Sequence, residues 1–256
     1  MKTNFRSFVT VLSTVSVLFF AAVNAHGQGA NTWATEIGAG LAMTNGNSDT
    51  KNINLSLGIV RDPKTNNVFR FNGLHLRGDK EGELLINQTA ITGRDEINLT
   101  DRTFVFAQGA FLKDTFKNIN YLFSPTVGIG YKLINTDTQL LAIDTGIGGV
   151  WERDFATDSF GRRSLLDTKA SGAYNIGERF AWKMSSVATV TQSFATLWKT
   201  NDWDDSLVSF AAGIAAAVTQ RAQIKLEFLD IYKNKPALGT PEKNDSTVIT
   251  SLVVKF

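Results

Sequence analysis

The side chains able to do chemistry are few. The chain has two histidines, His26 and His75, and no cysteine. Without thiols there is no disulfide framework, thiolate metal site or cysteine nucleophile. Two histidines so far apart nearly exclude a histidine metal centre as well. No HExxH, GxSxG, GxGxxG or P-loop spacing occurs. A hydrolase on a barrel rim needs a histidine beside a serine or an acid. The candidate is His75, in Leu74-His75-Leu76-Arg77, which reads more simply as a rim histidine. The acidic run Asn201-Asp202-Trp203-Asp204-Asp205 offers oxygen ligands of the kind Ca²⁺ prefers. It lacks the spacing of a dedicated loop, so it reads as a solvated loop. Arg153, Arg162 and Arg163 cluster where strands are expected to leave a membrane, either as plain surface charge or as partners of lipid phosphates. The expectation is no catalysis, no cofactor and no metal.

Ten charged residues are more informative. Glu36, Asp144, Glu152, Asp167, Lys169, Arg179, Lys183, Lys225, Glu227 and Lys255 fall on the polar side of alternating segments, five acids and five bases. What they line depends on the elements that carry them. Lys and Arg number 26 against 24 Asp and Glu, so no basic field points to nucleic acid. Mean hydropathy is −0.06. Beyond residue 25 no stretch is apolar for the roughly 17 residues a membrane helix needs. The first 25 residues differ: Lys2 and Arg6, an apolar run over 8–23, then Val23-Asn24-Ala25. That order of charge, grease and small residues predicts a secretory signal peptide cleaved after Ala25. Residues 26–32 (HGQGANT) then read as a flexible lead into a single domain over 33–256.

Within 33–256 the dominant period is two. Tyr121, Phe123, Pro125, Val127, Ile129, Tyr131 and Leu133 interleave with Leu122, Ser124, Thr126, Gly128, Gly130 and Lys132, and similar alternation recurs to the C-terminus. Successive strand side chains point to opposite faces, so each segment has one apolar and one polar or small face. Twelve segments are predicted, at 33–44, 51–61, 67–77, 83–94, 103–112, 121–134, 138–152, 163–174, 179–191, 206–218, 222–232 and 246–256. A soluble sandwich alternates too, but its strands average about 5–6 residues, whereas a tilted bilayer-spanning strand needs about 9–11. Connections after even segments are mostly tight (62–66, 135–137, 175–178, 219–221), those after odd ones longer (153–162, 192–205, 233–245). Aromatics fall near segment ends: Trp33, Tyr131, Tyr174, Trp182 and Phe256 at the short-turn end, Tyr121, Phe123, Trp151 and Tyr232 at the long-loop end. Length, loop asymmetry and two aromatic girdles together predict an all-β, transmembrane, antiparallel up-and-down β-barrel of about twelve strands in the outer membrane of a Gram-negative-type bacterium.

Three features carry a family resemblance: Trp33 with Gly38 and Gly40, then Thr44-Asn-Gly46-Asn47-Ser48-Asp49-Thr50; Lys113-Asp114-Thr-Phe116 with Gly128-Ile-Gly130-Tyr131-Lys-Leu133; and Asp230-Ile-Tyr232, Pro236 and Lys243-Asn-Asp245 ahead of the terminal Phe256. On these the chain resembles the salt-induced outer membrane protein family, known mainly as a domain of unknown function. The resemblance implies an outer-membrane barrel and supplies no activity. The closing Val248–Phe256 pattern looks like the signal read by the barrel assembly machinery, which the likeness implies as a partner in biogenesis, alongside outer-membrane lipids.

The ten charges are then expected to line a lumen, with Gly38, Gly40, Gly58, Gly128, Gly130, Gly146 and Gly148 on the same wall. Each glycine could serve curvature; as a set they leave room for a narrow aqueous path. Balanced charge argues for weak selectivity. The first functional expectation is a narrow porin-like channel for small polar solutes. The alternative is a structural or stress-related envelope barrel with a plugged lumen, and a barrel hydrolase is remote.

Overall fold

A computed structural model describes residues 33–44, 50–63, 66–80, 83–115, 117–158, 160, 162–237 and 243–256. The expected signal peptide 1–25, the lead 26–32 and His26 lie outside these. Among the described residues the strands are β1 (Trp33–Thr44), β2 (Thr50–Arg61), β3 (Asn67–Lys80), β4 (Glu83–Asn98), β5 (Thr103–Asp114) and β6 (Ile119–Asn135), followed by β7 (Gln139–Thr157), a three-residue β8 (Arg163–Leu165), β9 (Lys169–Lys183), β10 (Ala188–Lys199), β11 (Asp202–Ala217), β12 (Ala222–Lys233) and β13 (Asn244–Lys255). Each long strand pairs antiparallel with its neighbour in the chain, β7 with β9, and β6 with β7. The ring closes where β1 meets β13, from Glu36↔Lys255 to Thr44↔Thr247. The twelve long strands thus form a closed antiparallel barrel. β8 hangs on the extended end of β7, pairing Phe155↔Leu165 to Thr157↔Arg163. Closure is the physical requirement of a sheet in hydrocarbon, since it leaves no edge of unpaired amides.

The apolar face of the alternation points outward. Leu41 and Ile147 are each 66% exposed, and Ile53, Val127, Ile129 and Leu252 are exposed beside them. The polar partners on the same strands, among them Asn54, Thr126 and Ser251, are buried inside. That inversion of the soluble pattern is the one a lipid solvent demands.

Two expected strands are out of phase. The expected turn at 175–178 lies inside β9, and the expected strand 179–191 contains a real turn at 184–187. The expected long loop 192–205 is β10 and the start of β11. The turn at 184–187 is held by Ser185, whose Oγ accepts from the backbone N–H groups of Val187 and Ala188. Such a serine turn needs no glycine or proline. Asn175 and Gly177 look like turn residues, but the β7 and β10 ladders on either side hold them extended. Tyr174 consequently belongs to the long-loop half. Its ring lies 6.0 Å from Trp198 and 6.5 Å from Trp203.

Candidate lumen site

The interior is built in three layers. In the short-turn half, Glu96 on β4 accepts Arg70 Nη1 at 2.5 Å, Arg94 Nε at 2.7 Å and Arg179 Nη2 at 2.5 Å. Arg94 reaches on to Asp144 on β7 at 2.8 Å and to Gln108 Oε1 at 3.1 Å. The guanidinium carbon of Arg94 sits 3.7 Å from the Phe106 ring centre, and that of Arg179 lies 5.7 Å from Phe104. Both rings point inward from β5 and are buried. They take the room that the wall glycines leave. A Cβ on Gly130 would stand 2.1 Å from Phe104, and one on Gly128 would stand 2.7 Å from Phe106. Gly128, Gly130 and Gly146 therefore seat aromatic rings, and Gly148 gives room to the Pro125 backbone, rather than forming a water-filled groove.

Above this layer lies an apolar one. Ala90, Leu112, Ile119, Leu122, Val150, Ala173, Leu197, Leu207 and Ile231 form one buried cluster. They come from eight strands, β4 to β7 and β9 to β12. A cavity of about 50 Å³ sits between the two layers, walled in part by Gln108, Ser124, Asn175 and Ser209.

The third layer closes the long-loop end. Glu152 on β7 pairs with both Lys199 of β10 and Lys233 of β12, and Lys199 also holds Asp205 at 2.5 Å. Lys117, in the turn between β5 and β6, is fully buried and spans the mouth to Asp245 Oδ2 at 2.5 Å and the Lys243 carbonyl at 2.9 Å. Outside this layer, Lys235 holds Asp202 at 2.7 Å, and that hydrogen bond raises the lysine above its ordinary range. Asp158 is held below the ordinary carboxylate range by the Arg162 backbone N–H first and by the Arg162 guanidinium as well.

The sequence-chosen residues distribute unevenly over this frame. Asp144, Glu152 and Arg179 stand in the layers just described. Lys225 and Glu227 pair inside the wall at 2.8 Å, and Glu36 meets Lys255 at 3.4 Å across the β1–β13 seam. Lys169 is exposed at the long-loop rim opposite Glu152, and Lys183 is half-buried at the short-turn end. Asp167 does not stand on a strand. It is exposed in the connection between β8 and β9. Of the aromatics, Trp33, Tyr131, Trp182 and Phe256 are exposed at the short-turn end, and Trp151 is exposed at the other. Tyr121 and Tyr232 stand with Trp151, their hydroxyls bonded to Thr168 and Asn234. His75 is on the outer face, its Nδ1 3.0 Å from Thr89 Oγ1. Among the described residues no group of three or more His, Cys, Asp and Glu could hold a metal ion.

Sequence reading missed Arg70, Arg94, Glu96, Lys117, Lys199, Lys233 and Asp245. The signal for Arg94 and Glu96 was there: Thr92, Arg94 and Glu96 continue the period of two beyond residue 94, where the fourth strand was expected to stop.

A closed twelve-stranded antiparallel barrel with an apolar outer band and an ionic interior is an outer-membrane β-barrel. The chain belongs to the family described as "Protein of unknown function, DUF481", which matches residues 37–256. Among curated proteins it is similar to the uncharacterized protein YdiY of Escherichia coli (strain K12), with 24% identity over 163 residues, or 64% of this chain. The match spans 60% of that relative's length. Among solved structures it is similar to a NanC porin (TM-score 0.53, 12% identity, 86% of this chain and 98% of that one). It is also similar to the translocator domain of the autotransporter NalP from Neisseria meningitidis (TM-score 0.52, 9% identity, 91% of each chain). At such identities the likeness is one of fold.

Proposed function

We propose that the protein is a channel-type barrel of the bacterial outer membrane that is closed at rest. The apolar outer band supports the membrane assignment. The charged and apolar pattern of residues 1–25 supports export with cleavage after Ala25. The tight turns at one end and the long 158–168 and 234–243 connections at the other support an orientation with the turns in the periplasm. The closing β13 strand with Phe256 fits recognition by the barrel assembly machinery.

The observation that carries the closed state is the apolar layer from eight strands, roofed by the Glu152–Lys199–Lys233 pairs and the Lys117 strut. Ions need water around them, and a packed apolar constriction denies it. The solutes that fit are small and polar. The test is conductance in a planar bilayer. Wild-type protein, shown to be folded by its heat-dependent gel migration, is expected to stay shut. Leu122→Ser with Leu197→Ser is expected to produce stepwise openings. Steady large conductance from the wild type would refute the closed state.

A second reading, a structural envelope barrel with a permanent plug, is favoured by the complete burial of Lys117. Silence of the folded serine variant would decide for it.

A further inference from the structure

The outer face carries a feature unrelated to the lumen. At the long-loop edge of β5, β6 and β7, Lys113, Tyr121 and Arg153 point outward side by side, Tyr121 opposite Arg153 in the ladder. Arg163 of β8 reaches back so that its Nη2 donates to the Thr115 carbonyl at 3.3 Å, beside Lys113. Arg153 donates Nε to the Leu166 carbonyl at 2.8 Å. Backbone carbonyls hold both guanidinium groups, and among the described residues none of the three cations has a carboxylate partner. Arg162 differs, being paired with Asp158 at 2.8 Å.

Directly below, the lipid-facing wall is hollow. Gly93, Gly109, Pro125 and Gly149 form the floor, Phe69 and Ile147 the sides, and Asp95, which accepts from Asn67 Nδ2 at 2.6 Å, the short-turn margin of a depression of about 590 Å³. Between hollow and cations lie Phe111, Phe123 and Trp151. The outer edge of the Trp151 ring covers Gly149, where a Cβ would meet it at 2.9 Å, and the ring lies 6.3 Å from Phe123. From the rim inward, the chemistry therefore reads cation, aromatic, then a largely apolar hollow with the Asp95 carboxylate at its far margin. An acyl lipid with a phosphate headgroup presents the complementary order.

We propose that this face binds one phosphorylated glycolipid of the outer leaflet, its phosphate between Lys113, Arg153 and Arg163 and an acyl chain in the hollow over Gly93 and Gly109. The choice of glycolipid over glycerophospholipid rests on the orientation above, which puts the long-loop end at the cell exterior. Arginine forks suit phosphate oxygens, and Lys113 supplies the point charge.

The test is native mass spectrometry of the detergent-folded full-length protein with three probes: bisphosphorylated lipid A, its dephosphorylated form, and phosphatidylglycerol. Bisphosphorylated lipid A is expected to be retained at least tenfold more tightly than either other probe. Lys113→Ser/Arg153→Ser/Arg163→Ser is expected to remove that tenfold preference. Gly109→Leu, which fills the hollow, is expected to weaken lipid A several-fold while leaving the preference for phosphate. Lys235→Ser, an exposed loop lysine elsewhere, is expected to change nothing. Equal retention of the dephosphorylated probe, or of phosphatidylglycerol, overturns the assignment, as does a triple variant that binds like wild type. Conductance does not enter this readout, so failure here is separate from failure of the closed-channel reading. Each variant's heat-dependent gel migration reports whether it has folded.

Discussion

Glu96 is the residue on which the short-turn half of the lumen turns. Three guanidinium groups converge on one carboxylate, and Asp144 adds a second negative charge to the network through Arg94. Removing one partner of a buried ion network costs far more than the network contributes, because the remaining charges stay buried without solvent or counterion. Glu96→Gln is therefore expected to lower stability by about 3–5 kcal/mol, measured by urea unfolding of the protein in lipid vesicles. Adding Arg179→Met should recover part of that loss, since one uncompensated charge leaves with it. Strict additivity of the two substitutions would show that Glu96 and Arg179 are not coupled. A second residue-scale expectation concerns the seat of Phe104. Gly130→Val should destabilise by about 1–3 kcal/mol through overpacking, and Phe104→Leu in the same chain should relieve it.

At the scale of elements, the β7–β8 hairpin is held by Asp158, whose Oδ1 accepts from the backbone N–H groups of Phe160 and Arg162, each at 2.9 Å, while its Oδ2 takes the Arg162 guanidinium. The carboxyl is lowered in the folded chain. Its contribution is present above the unfolded carboxylate range and is lost as pH falls through the lowered folded value. The protection of the Phe160 and Arg162 amides, their exchange relative to the intrinsic rate at each pH, should accordingly hold at neutral pH and fall only in acid below the usual aspartate range, and Asp158→Asn should abolish that step. The strands themselves were largely legible. Seven of the twelve can be bounded within about three residues from alternation alone, because a period of two in a half-buried strand is a direct image of the pleat. β9 and β10 were not legible, for a definite reason. Glu178 faces outward from β9 and accepts a hydrogen bond from Gln192 of β10 at 3.0 Å. That pair places polar residues where the pattern requires apolar ones. The lumen was half legible: single charges on polar faces could be picked out, but their partners were set by cross-barrel distances that no local spacing encodes. Phe104 and Phe106, aromatic on the polar face, disguised the inner wall of β5.

For the whole molecule, the decisive property is closure of β1 on β13, and its register can be tested without disturbing the interior. Ala39 lies opposite Leu252, and both point outward. Facing Cα atoms in an antiparallel ladder stand about 4.5–5.5 Å apart, within the span of a disulfide. The chain has no cysteine of its own, so Ala39→Cys/Leu252→Cys gives one defined crosslink. It should form on mild oxidation of the folded protein, and reduction should reverse the gel shift. The control is Ala39→Cys/Ser251→Cys, one residue out of register. Neighbouring strand positions face opposite sides of the sheet, so this pair has one thiol toward lipid and one toward the lumen, and it should stay reduced. The first crosslink ties residues 39 and 252, a loop of nearly the whole barrel. In the chain-entropy account it should raise stability by about 5 kcal/mol, read as a higher urea midpoint that reductant abolishes. Equal crosslinking of both pairs would mean that the seam slips. A slipping seam would move the outer apolar face of β13 toward the lumen, and the barrel could then hold neither its apolar band nor its ionic layers in place.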